Sequence, residues 1–148
     1  LIRKYMPDAG ITTDIIVGFP GETEELFKET MEFVDKIAFS KIHVFPYSKR
    51  EGTPAANFDM QVEGPIKKER GHLLADKEEK IANAFLDSFI GKTLEVLFEE
   101  EAAREVVTEG YSTNYLRVSV PRDDSLINQI RSVKIIERKD QVLKGVII

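Results

Sequence analysis

The stretch Ile11-Thr-Thr-Asp-Ile-Ile-Val-Gly-Phe-Pro-Gly-Glu22 decides which fold the sequence predicts. β-Branched residues dominate its first half and Gly18-Phe-Pro-Gly21 interrupts them, so the pattern predicts a buried strand that ends in a tight loop. Apolar residues at helical spacing follow directly. Thr23 is the expected N-cap, and Glu24 and Glu25 suit the positive end of the helix dipole.

A second short strand, Lys41-Ile-His-Val-Phe-Pro-Tyr47, completes a strand–helix–strand unit with parallel strands. Residues 48–63 lack periodicity and predict a loop. A long helix is then expected from Pro65 to a stop at Gly91. From Lys92 onward apolar and polar residues alternate, which predicts about four to six short strands that close into a small barrel.

The predicted fold class is therefore α/β followed by a small all-β barrel. We expect an α/β part at residues 1–63, a connecting long helix at residues 64–91 and the β-barrel at residues 92–148. One strand–helix–strand unit cannot cover both faces of a parallel sheet, so the α/β part is expected to be an incomplete barrel. Its exposed strand edge would allow a dimer to form.

Composition narrows the class of protein. The chain has 148 residues, of which 42% are hydrophobic and 32% charged, as in globular domains. No apolar run is long enough to cross a bilayer and the N-terminus lacks a signal-peptide layout, which predicts a cytoplasmic protein without membrane contact. There is no cysteine, so these residues cannot form a disulfide, a thiolate zinc site or an iron–sulfur site. His43 and His72 lack metal-ligand spacing, and no metal site is predicted.

Chemistry-bearing residues follow the first predicted strand. The carboxyl ends of parallel strands meet at the edge where α/β folds bind ligands. The loop from Gly18 to Glu22 would place backbone amides and a carboxylate there. A plain Gly-Pro turn, with Glu22 matching the helix dipole, explains the same residues. Asp14 is polar within an apolar strand, so it needs a hydrogen-bonding partner or a place in a pocket.

The second predicted strand ends in Phe45-Pro-Tyr-Ser-Lys-Arg-Glu-Gly-Thr-Pro54. Phe45 and Tyr47 are suited to flank a flat base, and the planar guanidinium of Arg50 is suited to a carboxylate or phosphate. A polar surface loop is the alternative interpretation.

Together these motifs resemble a known family. The stretch Thr13–Thr23 resembles the fifth barrel strand and loop of radical S-adenosylmethionine enzymes, and Phe45–Ala55 resembles the sixth-strand signature of methylthiotransferases. Residues Gly64–Arg70 and Phe89–Phe98 resemble that family's connection into its C-terminal TRAM domain. The motif Phe45-Pro-Tyr-Ser-Lys-Arg50 most resembles the corresponding motif of the branch that methylthiolates threonylcarbamoyladenosine in tRNA. The resemblance covers essentially the whole chain.

This resemblance implies a partial radical S-adenosylmethionine barrel followed by an OB-like TRAM barrel. It also implies that the full-length enzyme uses [4Fe–4S] clusters and S-adenosylmethionine. The family's CxxxCxxC motif is absent, so this piece alone is expected to bind no cluster and to be inactive, and no catalytic residue is assigned. The residues that the resemblance places at the cofactor are Gly18, Phe19, Gly21, Glu22, Phe45 and Tyr47. Ser48 and Arg50 are implied at the substrate.

For the barrel, the resemblance implies binding of tRNA. The residues of suitable type are Tyr111, Asn114, Tyr115, Arg117, Lys134 and Arg138. Either tyrosine is equally suited to cap the barrel core. The acidic run Glu99–Glu101 would repel RNA and should point elsewhere.

The function implied is that of the C-terminal part of a tRNA-modifying methylthiotransferase acting on an adenosine derivative, threonylcarbamoyladenosine next to the anticodon. Two alternatives stay open. One is a free-standing RNA-binding TRAM module, and the other is a sister methylthiotransferase that acts on a ribosomal protein side chain.

Overall fold

The computed structural model describes residues 1–99 and 106–148. The helices are α1 (Ile2–Tyr5), α2 (Glu24–Ile37) and α3 (Gly64–Asp87), with short 3₁₀ helices at Pro54–Asn57 and Asp124–Leu126. The strands are β1 (Thr12–Val17), β2 (Lys41–Pro46), β3 (Thr93–Phe98), β4 (Val107–Ser112), β5 (Arg117–Pro121), β6 (Ile130–Lys139) and β7 (Val142–Ile147). The chain divides into two compact units, Ile11–Ala82 and Leu1–Gly10 with Asn83–Ile148. None of the helices in the described ranges has the length and apolar character that a membrane span requires.

The unit of residues 11–82 is built on two parallel strands joined by α2. β1 and β2 pair in register from Thr12 opposite Lys41 to Val17 opposite Pro46. The Thr23 hydroxyl accepts the Leu26 N–H at 3.3 Å, which confirms the predicted cap.

One face of this sheet carries the core of the unit. The buried apolar residues are Val17, Phe27, Val34, Phe39, Ile42 and Leu74. Alternate residues of both strands, including Ile16 and Phe45, lie on the opposite face and remain about half exposed. The α/β prediction is thus confirmed as a parallel pair with helices packed on one face.

α3 has a glycine, Gly71, in its interior. A Cβ at this position would lie 3.7 Å from Pro46 Cγ and 3.9 Å from Val17 Cγ2, which are ordinary contacts, so packing against the strand ends does not require glycine here. The helix ends at Asp87, before the predicted stop, and the Phe89 and Ile90 N–H groups then donate to carbonyls three residues back, at 3.0 and 3.1 Å, which closes the last turn. Gly91, with φ of +87°, makes the turn into β3.

The second unit contains the predicted barrel. Its strands close in the order β3-β4-β5-β7-β6, with β5 and β7 parallel and the other pairs antiparallel. Its core includes the fully buried residues Phe89, Val96, Phe98, Val118, Val133, Ile135 and Leu143. A small closed barrel is confirmed, and it is consistent with an OB-like fold. The described strands of the barrel close on themselves and so leave no free edge for another chain to pair with. The β1–β2 sheet does have free edges, and dimerisation through them stays a prediction.

Candidate functional site

The ends of β1 and β2 bring the two sequence motifs together. Both strands end at the same edge of the sheet because they are parallel, and the Tyr47 N–H donates to the Val17 carbonyl at 2.8 Å. The loop that begins at Gly18 therefore lies beside the segment that follows Phe45. This is the placement that the predicted ligand-binding edge requires.

These segments line a cleft of about 580 Å³, which we call the sheet-edge cleft. Its lining residues are Asp14, Ile16, Phe19, Phe45, Pro46, Tyr47, Ser48, Arg50, Thr53 and Ala55. The rings of Phe19 and Tyr47 meet edge to face, with centroids 5.3 Å apart. Five predicted site residues thus share one cleft: Phe19, Phe45, Tyr47, Ser48 and Arg50. The other three, Gly18, Gly21 and Glu22, are outside its lining and shape the adjacent loop.

Both the backbone conformation and the neighbouring side chain at position 18 require glycine. Its φ is +71°, and a Cβ at this position would lie 2.2 Å from Lys67 Cγ. The Lys67 side chain passes alongside Gly18, and its amine donates to the Tyr47 carbonyl at 3.1 Å. Lys67 of α3 therefore contacts both motif segments at once.

Glu22 is engaged within the protein. Its Oε1 accepts the Gly18 N–H at 2.9 Å and a guanidinium N–H of Arg70 at 2.7 Å. The same Arg70 nitrogen also donates to the Glu22 carbonyl at 3.0 Å. Arg70 is nearly buried, and its guanidinium carbon lies 5.3 Å from the Phe27 ring centroid. The Glu22 carboxylate, which was expected at the cofactor, therefore stabilises the loop instead. Its partner Arg70 was not predicted from the sequence.

Two polar groups in or beside the cleft bear on what it could bind: the Asp14 carboxylate, for which the sequence predicted a partner or a place in a pocket, and the hydroxyl of Tyr47, which the resemblance places at the cofactor. Asp14 lines the cleft and stands opposite His43 in the register of the two strands, on the sheet face that α2 and α3 leave open. The Tyr47 hydroxyl is buried and has no hydrogen-bond partner among the described residues. A buried hydroxyl without a partner is rare in proteins, which marks the cleft as a place for a polar ligand atom.

The predicted RNA-contact residues do not all lie at one site. Tyr111 and Tyr115 line one cleft of about 360 Å³ on the barrel surface, which we call the barrel cleft. Arg117 donates to buried Glu109, with Nε at 3.0 Å from Oε2. Lys134 is exposed on β6 and is not part of this cleft.

Two other predicted residues of the barrel are also engaged internally. The Asn114 amide donates to the Asp8 carbonyl at 2.7 Å, and Arg138 donates to Asp87 at 2.6 Å. The Arg138 bond lowers the pKa of Asp87. The expectation that the acidic run points elsewhere is wrong for Glu99, which lines the same cleft as Tyr111 and Tyr115, and Glu100 and Glu101 lie outside the described residues.

The sheet-edge cleft fits one of the two groups that the family resemblance implies. Its aromatic rings suit a purine, and the Asp14 carboxylate and Tyr47 hydroxyl suit the hydroxyl and ammonium groups of S-adenosylmethionine. An iron–sulfur cluster does not fit this chain, which has no cysteine. Residues 1–99 and 106–148 also contain no group of three acidic, histidine or cysteine side chains arranged to hold a metal.

Comparison with known proteins finds relatives along nearly the whole chain. The threonylcarbamoyladenosine tRNA methylthiotransferase MtaB of Bacillus subtilis is 41% identical over 139 residues, which are 92% of this chain and 31% of that protein. The tRNA-2-methylthio-N(6)-dimethylallyladenosine synthases of Acetivibrio thermocellus and Thermoanaerobacter sp. are 40% and 42% identical over 99% and 97% of the chain. No family model matches the sequence. The chain spans 31% of the length of each of these relatives, and over that length it belongs to the methylthiotransferase family.

Proposed function

We propose that this chain is the C-terminal part of a tRNA-modifying enzyme that adds a methylthio group to threonylcarbamoyladenosine by radical S-adenosylmethionine chemistry. The observation that carries the proposal is the sheet-edge cleft, where both family motifs meet on neighbouring parallel strands. In this proposal a cluster outside the chain and S-adenosylmethionine supply the radical. The residues of this chain bind, orient and shield the reacting groups.

In this proposal β1 and β2 are two strands of a larger, partial barrel. Their open face, which carries Asp14, Ile16 and Phe45, would then line the barrel interior. A parallel sheet is ordinarily covered on both faces, and an interior position explains apolar side chains there that the described residues leave exposed. Water would be excluded from the cleft by the same covering.

Within the cleft, Phe45 and Tyr47 would flank a base, and the Tyr47 hydroxyl would reach a polar atom of the ligand. In this proposal Ser48 and Arg50, which follow the end of β2 and line the same cleft, would contact the substrate. The relatives named above act on either a threonylcarbamoyl or a dimethylallyl derivative. The guanidinium of Arg50 supports the first, because a threonylcarbamoyl group carries a carboxylate and a dimethylallyl group has none.

For the barrel, the proposal is that it contacts tRNA. Lys134 supports this part, because it is exposed on β6 and makes no ion pair among the described residues. Arg117 supports it less, since its charge is neutralised by Glu109. The proposed location is the cytoplasm, where tRNA is modified.

Nucleoside mass spectrometry tests the assignment. A strain that lacks the gene would be complemented with the full-length protein, with Arg50→Gln or with Lys49→Gln, a neighbouring cation outside the cleft lining. Full-length protein should restore methylthio-threonylcarbamoyladenosine, Arg50→Gln should lower it at least tenfold, and Lys49→Gln should leave it unchanged. Restoration of only the dimethylallyl product would overturn the substrate assignment. Restoration of a modified ribosomal protein with unmodified tRNA would establish the sister activity instead.

A further inference from the structure

The barrel cleft contains a row of apolar side chains that cross three strands. Leu97 on β3 stands opposite Ile130 on β6 and opposite Tyr111 on β4, so the three share the outer face of the barrel. Ile130 is 61% exposed, and Leu97 and Tyr111 are each 42% exposed. Tyr115 completes the cleft from the turn between β4 and β5. Isolated exposed apolar residues are ordinary, but a contiguous row around a cleft marks an interaction site.

Tyr115 is held in a fixed and unfavourable conformation. Its φ of +62° lies in the left-handed region that bulky residues avoid. The turn is fixed by the Tyr115 N–H to Ser112 carbonyl bond at 2.9 Å and by the Leu116 N–H to Ser112 Oγ bond at 3.0 Å. The side chain of Asn114 adds its bond to Asp8. The ring is nevertheless 88% exposed, so packing within the chain does not offset the backbone strain.

Among the described residues, the charged side chains that line the barrel cleft are both acidic, Glu95 and Glu99. Arg117, the cross-strand neighbour of Tyr111, has its charge neutralised by Glu109. Carboxylates repel the phosphates of RNA and attract cations. Tyrosine rings also attract cations, above all the guanidinium group.

We propose that the barrel cleft binds a protein segment that carries arginine or lysine between aliphatic side chains. Leu97 and Ile130 contact the aliphatic side chains, Tyr111 and Tyr115 stack on the cationic ones, and the two glutamates pair with them. A rigid, exposed tyrosine is typical of the few residues that dominate protein interfaces. RNA is the occupant that the two glutamates of this cleft disfavour.

Fluorescence anisotropy on the 148-residue chain tests the proposal with two labelled probes. One is a twelve-residue peptide of alternating arginine and leucine, and the other is a twelve-nucleotide single-stranded RNA of mixed sequence. Glu95→Gln with Glu99→Gln should weaken peptide binding at least tenfold. The matched control is Asp76→Asn with Glu79→Gln, which removes the same charge from exposed positions of α3 and should change the dissociation constant less than twofold.

A second variant separates the cleft from general acidity. Tyr115→Asn removes the ring and places a residue that tolerates positive φ, so the turn should keep its thermal stability while peptide binding weakens at least fivefold. Equal effects of the two double variants, or no effect of Tyr115→Asn, would refute the proposal. It would also fail if the RNA bound the chain and lost affinity in Tyr115→Asn, because the cleft would then be a nucleic-acid site.

Discussion

Replacing Glu22 by glutamine tests whether the buried ion pair with Arg70 fixes the loop at the sheet edge. Only 7% of the Arg70 side chain and 13% of the Glu22 side chain are exposed, so water compensates little for a lost charge. Removing one partner of a buried ion pair costs about 3–5 kcal/mol. Glutamine keeps an oxygen for the Gly18 N–H and the guanidinium, so we expect the lower value, about 3 kcal/mol of unfolding free energy.

The matched control is Glu32→Gln, which removes the same charge from a surface pair. Glu32 lies 3.9 Å from Lys28, and their side chains are 69% and 77% exposed. Such a pair contributes about 0.5 kcal/mol or less. The change in unfolding free energy in Glu32→Gln therefore measures the effect of removing one charge without breaking a buried contact.

Urea denaturation followed by circular dichroism measures both variants, and hydrogen exchange gives a local measurement. The Gly18 amide donates to Glu22, so its exchange should accelerate about a hundredfold in Glu22→Gln if about 3 kcal/mol of loop stability is lost. In Glu32→Gln that rate should stay within about twofold of the unmodified chain. Equal destabilisation by the two variants, with unchanged Gly18 exchange, would refute the assignment of Glu22 and Arg70 as the brace of the loop.

Three further outcomes are expected. Gly71→Ala should stabilise the chain by up to about 1 kcal/mol in thermal melting, because the added methyl makes ordinary contacts and removes a helix-interior glycine. Gly110→Ala should destabilise it by about 3 kcal/mol, since its Cβ would lie 2.2 Å from the Leu97 carbonyl oxygen across the β3–β4 ladder. The hydrogen bond from Arg138 lowers the pKa of Asp87, so this carboxylate stabilises the fold above its unfolded pKa and loses that effect as pH falls through its folded pKa. As the pH is lowered, the melting temperature of Asp87→Asn should therefore fall less steeply than that of the unmodified chain.

Local patterns were sufficient to predict the backbone near the cleft. The β-branched run before Gly18 predicted β1, and the Thr23 cap predicted where α2 begins. Parallel pairing followed from the helix between the two strands, and it predicted that the two motifs would meet at one edge. Strand alternation after Lys92 likewise predicted the barrel, because the period of two is a local property.

Side-chain partners were not predictable in the same way. Arg70 meets Glu22 across 48 positions of the chain, and sequence gives no local signal for such a contact. Arg117 was expected at RNA, yet it is bound to Glu109, a diagonal neighbour that depends on the register between β4 and β5. The role of these residues therefore required coordinates, whereas their strands did not.

The contact between Gly18 and Lys67 limits how this cleft can diverge during evolution. A shorter residue at position 67 would make room for a side chain at position 18, but the φ of +71° would still disfavour it, so no single compensating exchange frees the glycine. Asp14 and His43 are under no such backbone constraint. Family members that acquire new substrates are therefore expected to differ at residues on the open face of the sheet, such as Asp14, while Gly18 stays the same.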